Sequence, residues 1–314
     1  MRAARYHAFG PPDALAICEV PDPVAGAGEL LLRVEAFSVN PVDWKMMTGA
    51  HRLILRPRFP AIPCFDVCGI VEAIGDGAAG FELGDRVVCR PPGLTGGAAA
   101  GKIAVPADVS APAPPAMSTA AAAGLPLAGQ TALQALRETG GLDPGRSVLV
   151  IGASGGVGHL AVQIARTHGA RVTGVCSAAN AEFVAGLGAE RVIDYGEAPD
   201  SAGWGQFDTV IDCVGGLGAA ALARCTGPRG RVSLVSPTPA QLAALVLWPI
   251  TSRRRARVTM LRPAGEDLAL LCALAARGEL TVTLDGHFAG LEALPAAFER
   301  SMTGRVRGKV VVTL

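Results

Sequence analysis

The sequence predicts an α/β protein in which a doubly wound parallel sheet is combined with a second, β-rich domain. From Ser147 onward, apolar segments of strand length alternate with single helices along the 314-residue chain. Strands that are joined by single helices pair in parallel, and helices cover both faces of the sheet. The strands predicted for this sheet are residues 147–151, 171–176, 191–195, 207–214 and 230–236.

The first hundred residues follow a different pattern. Residues 29–37 alternate apolar and polar side chains, which is typical of a strand with one buried face. Further short strands are predicted at 69–75 and 85–89. Proline and glycine interrupt the chain as far as 106–118, whereas residues 117–136 have a helical composition. The sequence therefore indicates a domain change near this linker.

Composition and charge argue against several classes of protein. Half of the residues are hydrophobic, 18% are charged and the net charge is +1, so we expect neither a membrane partner nor a nucleic-acid partner. The apolar run at 243–250 is far shorter than the roughly 20 residues of a membrane span. The N-terminus lacks the apolar core of a secretory signal, so we expect a cytoplasmic protein. The basic run at 252–257 is interpreted as a solvated loop.

The eight cysteines are scattered through apolar segments, unlike a disulfide framework. Cys64 and Cys68 form the only close pair. Because no second pair and no histidine lie nearby in the sequence, this spacing favours buried thiols over zinc ligands.

A glycine-rich turn follows the first predicted strand of the parallel sheet. The stretch IGASGGVG contains Gly152, Gly155, Gly156 and Gly158. The first glycine permits a tight turn, and the middle ones let the backbone approach a pyrophosphate at the N-terminus of the helix predicted over 157–169. The sequence therefore predicts a dinucleotide site here. His159 is expected on the solvent-facing side of the helix.

The end of the next strand bears on the choice between NAD and NADP. An NAD site usually has an acidic residue there, which binds the ribose 2′-hydroxyl. Residues 174–180 contain no acid, whereas Ser177 and Asn180 can donate hydrogen bonds to a 2′-phosphate. This favours NADP. An alternative remains open, in which Ser177 and Asn180 only cap the following helix.

Seven segments together resemble one protein family. They are VNPVDWKMMTG (39–49), FDVCGIVEAIG (65–75), FELGDRVV (81–88), LPLAGQTALQAL (125–136), VLVIGASGGVGHLAVQIA (148–165), LGAERVIDY (187–195) and RGKVVVTL (307–314). The chain resembles the medium-chain dehydrogenase/reductase superfamily, and within it the zinc-independent, NADPH-dependent quinone oxidoreductases. The resemblance extends from the first predicted strand to the last.

The resemblance implies a domain organisation. A GroES-like catalytic domain is expected to comprise residues 1–119 and a returning C-terminal segment, 263–314. A Rossmann domain is expected at 120–262, with the cofactor in the cleft. A homodimer is also expected, since the family usually forms one.

The resemblance further implies a reaction without a metal. Zinc-dependent relatives have a cysteine at the position of Asn40 and a histidine at that of Phe65, and neither residue of this chain can replace those ligands. The implied reaction is hydride transfer from NADPH to a quinone or an α,β-unsaturated carbonyl compound. An enoyl-thioester reductase, or a reductase dedicated to one pathway, is an alternative. Another is an NADPH-binding sensor or partner protein with little turnover.

Roles for individual residues also follow from the resemblance. The implied catalytic residues are Asn40, Asp43 and Lys102, with Lys102 at a position where relatives often have tyrosine. The implied cofactor-binding residues are Asn40, Thr131, Gly152, Ser154, Gly155, Gly156, Val157, Gly158, Ser177, Asn180, Tyr195, Val214, Gly215, Val235, Ser236 and Lys309. Other interpretations stay open: Asn40 as a turn residue, Asp43 as a helix cap and Tyr195 as a packing residue.

Overall fold

The computed structural model describes residues 1–50, 52, 57–93, 96–251 and 255–314, with side chains described outside 246–251. The chain forms two compact units. Unit 1 comprises residues 1–130 and 262–314, and unit 2 comprises residues 131–261.

The strands and helices are as follows in chain order. The first part of the chain contains β1 Arg2–Arg5, β2 Ala16–Glu19, β3 Glu29–Val39, α1 Pro41–Met47, β4 Asp66–Ile74, β5 Arg86–Cys89, β6 Lys102–Pro106, β7 Ser110–Pro112, α2 Thr119–Ala123 and α3 Pro126–Thr139. It continues with β8 Ser147–Ile151, α4 Gly158–Thr167, β9 Arg171–Cys176, α5 Ala181–Gly186, β10 Arg191–Asp194, β11 Phe207–Asp212, α6 Ala219–Cys225, β12 Thr226–Leu234, α7 Pro239–Thr251 and β13 Arg255–Val258. The last elements are α8 Gly265–Ala276, β14 Leu284–Ala289, α9 Leu294–Met302 and β15 Lys309–Thr313.

Unit 2 is built on a six-stranded parallel sheet in the order β10-β9-β8-β11-β12-β13. Numbered from β8, this is the Rossmann order 3-2-1-4-5-6. The central strands consist largely of Val, Ile and Leu because helices cover both of their faces. Leu149, Val210 and Val232 are fully buried there. The doubly wound parallel sheet predicted from the sequence is therefore confirmed.

Two expectations for unit 2 are wrong. Arg255–Val258 form the edge strand β13, parallel to β12, rather than a solvated loop. An edge strand can expose a row of side chains to solvent while its backbone pairs with the neighbouring strand, which suits arginines. Residues 252–254 of the basic run lie outside the described residues. His159 is fully buried, and its Nδ1 lies 2.9 Å from the carbonyl oxygen of Gly155, because residues 158–165 of α4 are buried on every side.

Unit 1 is built on a seven-stranded sheet in which β3 pairs with β15, β4 and β6. The alternating side chains of β3 place Leu30, Leu32 and Val34 in the core, as predicted for a half-buried strand. Cys64 and Cys68 are buried free thiols, as expected. Among the described residues, no helix is long and apolar enough to cross a membrane.

The boundary between the units differs from the expected one. The expected Rossmann domain includes residues 120–130, which the structure assigns to unit 1. Helix α2 packs its buried alanines against β3 and β4. This packing places the helix in the β-rich unit.

Candidate active site

Polar side chains of unit 1 gather where three strands of its sheet end. Ser38 pairs with Asp66 across β3 and β4, and Val39 pairs with Val310 across β3 and β15. This register brings Asn40, which follows Val39, close to Lys309, which precedes Val310, and to Asp66. We call Ser38, Asn40, Asp43, Asp66 and Lys309 the polar cluster; all five are at most 3% exposed.

The amide of Asn40 is held at both ends. Its Nδ2 donates to Asp66 Oδ2 at 2.9 Å, and it lies 3.4 Å from Ser38 Oγ. Its Oδ1 accepts from Lys309 Nζ at 2.5 Å. A lysine can only donate and a carboxylate can only accept, so these partners determine which end of the amide faces which side. Asn40 is therefore held in one orientation.

Asp66 is the fully buried acid of the polar cluster. Its Oδ2 accepts from Ser38 Oγ at 2.6 Å and lies 3.5 Å from Lys309 Nζ. Its Oδ1 accepts from the backbone N–H of Leu127 at 2.7 Å. A buried carboxylate needs a counter-charge and several donors, and these contacts provide both.

Asp43 is both a helix cap and a buried acid. It closes a capping box at the start of α1, where its Oδ2 accepts from the backbone N–H of Asn40 at 2.6 Å. The interpretation of Asp43 as a cap is therefore confirmed. Burial raises the pKa of Asp43 to about 8, which outweighs the opposing effect of that hydrogen bond. This shift favours the protonated form of Asp43 near neutral pH.

Lys102 lies elsewhere in unit 1. It pairs with Arg33 across β6 and β3, about 23 Å along β3 from Asn40. Its Nζ lies 3.1 Å from carboxylate oxygens of both Asp22 and Glu72. The structure does not bring Lys102 to the polar cluster, so it is not part of the candidate site.

The glycines of unit 2 play different parts in the turn between β8 and α4. Gly152 has φ +77°, and a Cβ there would lie 2.5 Å from Val214 Cγ2. A Cβ on Gly158 would lie 2.1 Å from the carbonyl oxygen of Gly152. Around Gly155, by contrast, a Cβ would meet nothing closer than 3.4 Å. The outer glycines are fixed by packing, whereas the middle one leaves room for a ligand against the backbone, which fits a pyrophosphate.

Three polar side chains come together at the end of β9. Asn180 Nδ2 donates to Ser154 Oγ at 3.2 Å and to Ser177 Oγ at 3.3 Å. Neither Ser177 nor Asn180 makes a side-chain cap, so the capping interpretation is wrong. Tyr195 follows the neighbouring strand β10 and is 54% exposed, which argues against a packing role.

Asp212 fixes the loop that follows β11. Its Oδ1 accepts from the backbone N–H groups of Val214 at 3.0 Å and Gly215 at 2.9 Å. Its Oδ2 accepts from Gln241 Nε2 at 2.8 Å. The exposed side chain of Val214 is thereby held beside the glycine turn.

The remaining predicted cofactor residues fall into four places. Gly156 and Val157 lie in the turn before α4, and Val235 and Ser236 follow β12, where a Cβ on Gly215 would lie 2.3 Å from the Ser236 carbonyl oxygen. Thr131 is buried within α3, and Lys309 belongs to the polar cluster. Their contacts with a cofactor stay predictions.

Two buried acids, Asp66 and Asp212, were missed as site residues. Both stand at an end of an apolar strand, which is a signal that the sequence contains. Their partners are not readable in the same way. Lys309 and Gln241 come from distant segments, so only the fold shows which donors reach these acids.

The donor set in unit 1 does not suit zinc. Zinc prefers thiolate, imidazole and carboxylate ligands, whereas Asn40 offers an amide and Lys309 a positive charge. Among the residues that the structure describes, no group of three or more His, Cys, Asp and Glu side chains could hold a metal ion. The expectation of a zinc-free site stays a prediction.

Comparison with known proteins shows the family to which the chain belongs. Residues 26–115 match the alcohol dehydrogenase GroES-like domain, and residues 187–312 match a family described as zinc-binding dehydrogenase. The chain is 36% identical to the chloroplast envelope quinone oxidoreductase homolog of Arabidopsis thaliana, over 99% of this chain and 98% of that protein. The chain belongs to the medium-chain dehydrogenase/reductase superfamily, in its quinone oxidoreductase branch. Pyridine-nucleotide binding fits this family.

Other relatives agree with this membership. A 2-methylene-furan-3-one reductase of Solanum lycopersicum is 32% identical, over 99% of this chain and 79% of that protein. The structure of the quinone oxidoreductase from Coxiella burnetii superposes with a TM-score of 0.90 at 30% identity, covering 100% of this chain and 99% of that one. The resemblance inferred from the sequence motifs is confirmed.

We predict that alanine impairs stability at one glycine of the turn and cofactor binding at another. Gly158→Ala should lower the melting temperature, because its Cβ collides with the Gly152 carbonyl group. Gly155→Ala should melt as the wild type does but bind NADPH about tenfold more weakly, because its methyl group occupies the ligand's space. Thermal melts and fluorescence titrations measure both effects. Equal loss of stability in the two variants would contradict this division of roles.

A carboxylate at position 177 should reverse the cofactor preference. Ser177→Asp places a negative charge where the 2′-phosphate is expected, so kcat/KM with NADPH should fall about tenfold or more, while that with NADH is retained. Ser177→Asn is the neutral control. An unchanged ratio of NADPH to NADH activity in Ser177→Asp would contradict the expectation that Ser177 and Asn180 bind the 2′-phosphate.

Asp43 should make stability depend on pH. Because its pKa is raised on folding, the folded state keeps a proton that the unfolded chain releases above about pH 4, and wild-type stability should fall from there to about pH 8. Asp43→Asn has no proton to lose. Its melting temperature relative to the wild type should therefore rise over this range and then level off. Parallel pH curves for the two proteins would contradict the raised pKa.

Proposed function

We propose that the protein is an NADPH-dependent reductase that delivers hydride to a quinone or to the β-carbon of an α,β-unsaturated carbonyl compound without zinc. Two relatives support this class of acceptor, since one is named a quinone oxidoreductase homolog and the other a reductase of a methylene-furanone. The observation that carries the proposal is the contact between Lys309 Nζ and Asn40 Oδ1. The ammonium group of Lys309 therefore lies beside Asn40, the position at which zinc-dependent relatives have a cysteine ligand.

This ammonium group makes a metal unnecessary and unfavourable there. A divalent cation would be repelled by Lys309, and the nearest acid, Asp66, already accepts four hydrogen bonds or ion-pair contacts. Quinones and enones are electrophilic without a Lewis acid. Their reduction requires orientation and stabilisation of the developing oxyanion, and both can come from fixed dipoles and charges.

The residues of each unit would contribute separately. In unit 2, the turn at Gly155 would take the pyrophosphate, while Ser177 and Asn180 would donate to the 2′-phosphate. When bound, the reduced nicotinamide supplies the hydride. In unit 1, Asn40 presents one fixed orientation of its amide, and Asp43 stays neutral below about pH 8. A neutral Asp43 avoids adding a second negative charge as the acceptor becomes an oxyanion. The final proton comes from water.

The reaction class can be tested with a panel of acceptors. NADPH oxidation should be observed with a benzoquinone, a naphthoquinone, a neutral enone or an enal, and it should be faster than NADH oxidation. A simple alcohol with NADP⁺ is the control and should give no reduction of the cofactor. A crotonyl thioester as the best acceptor would favour the enoyl-thioester alternative. NADPH binding without turnover of any acceptor would favour a sensor role.

A further inference from the structure

Arg90 lies at the same sheet end as the polar cluster. It follows β5, whose last residue, Cys89, pairs with Val67 of β4 in an antiparallel ladder. The next residues on the two strands are Arg90 and Asp66, so the register sets them side by side. Neither spacing nor composition of the sequence marks this arginine.

The guanidinium group of Arg90 rests on an aromatic platform. Its Cζ lies 4.8 Å from the ring centroid of Phe65, and one of its terminal nitrogens donates to the Pro91 carbonyl oxygen at 2.8 Å. Stacking on a ring holds the planar group in one orientation. Burial lowers the pKa of Arg90, while the carboxylate of Asp66, and that of Asp43 whenever it is ionised, oppose this shift. The two acids are therefore close enough to affect it.

Two polar atoms in this region have no hydrogen-bond partner. Among the described residues, Arg90 Nε and Asp43 Oδ1 are both buried and unpartnered. Such groups are rare, because a buried polar atom without a partner has lost its hydrogen bonds to water and gained none in the protein. Asp43 Oδ2 accepts from the Asn40 backbone, so Oδ1 is the oxygen left to hold the proton when Asp43 is neutral. Arg90 Nε is a donor in any case, and a neutral Asp43 offers a second donor at Oδ1, so an anionic oxygen would satisfy both atoms.

We propose that Arg90 and Asp43 bind the ionised oxygens of the acceptor, so that the preferred substrates carry a carboxylate beside the electrophilic double bond. This inference rests on the proposed function and adds a substrate class to it. The acceptor gains a hydride at carbon and a proton from water at oxygen, the nicotinamide is oxidised, and the carboxylate is unchanged. Arg90 is the residue that determines this specificity.

The test compares one acceptor in charged and neutral forms. β-Acetylacrylate and its methyl ester share the same enone, and kcat/KM is measured for each with NADPH. In Arg90→Met, which keeps an apolar stem on Phe65, the ratio of carboxylate to ester activity should fall about tenfold or more. Arg33→Met is the matched control, because Arg33 is a half-exposed arginine of the same unit, and its ratio should stay within about twofold of the wild type. An unchanged ratio in Arg90→Met, or equal losses for both acceptors, would overturn the inference.

A second measurement needs no variant and so remains decisive if Arg90→Met does not fold. Levulinate and methyl levulinate lack the double bond and act only as competitors. Against quinone reduction by the wild type, levulinate should inhibit about tenfold more strongly than its ester. Equal inhibition would overturn the inference while leaving quinone reduction, and hence the proposed function, intact. Absence of turnover with every acceptor would instead contradict the proposed function.

Discussion

A single buried carboxylate, that of Asp66, determines what the surrounding chain must provide. A charge without solvent needs a counter-charge and donors, and unit 1 brings them from four segments: Ser38 at the end of β3, Asn40 after it, Leu127 in α3 and Lys309 in β15. The lysine is 269 positions from Asn40 in the sequence. The return of the C-terminal segment to the β-rich unit therefore completes both the sheet and the charge balance.

Unit 2 also contains a buried carboxylate, which holds a loop in place. Asp212 is also fully buried, and it accepts backbone N–H groups from Val214 and Gly215 rather than an ammonium group. Its negative charge is distributed over these dipoles and Gln241. In both units, a buried acid thus immobilises a group that is expected to meet a ligand. In unit 1 this group is the amide side chain of Asn40, and in unit 2 it is the loop after β11.

The parallel sheet and the glycine turn could be predicted because their signals are local: apolar runs of strand length, and glycines between a strand and a helix. The edge strand β13 could not, since its arginines resemble a solvated loop until the backbone pairing with β12 is known. Lys102 was misplaced because a motif position says nothing of its ion pairs with Asp22 and Glu72. Arg90 was missed because its significance arises from strand register alone.

The central claim is that the ammonium group of Lys309, not a metal ion, completes the site around Asn40. The most direct test is quinone-dependent NADPH oxidation by metal-stripped wild type and Lys309→Met, each assayed with and without added zinc. We predict full wild-type turnover without zinc, and a loss of about tenfold or more in Lys309→Met that zinc does not restore. Wild-type turnover that requires zinc, or unchanged turnover in a folded Lys309→Met, would contradict the claim.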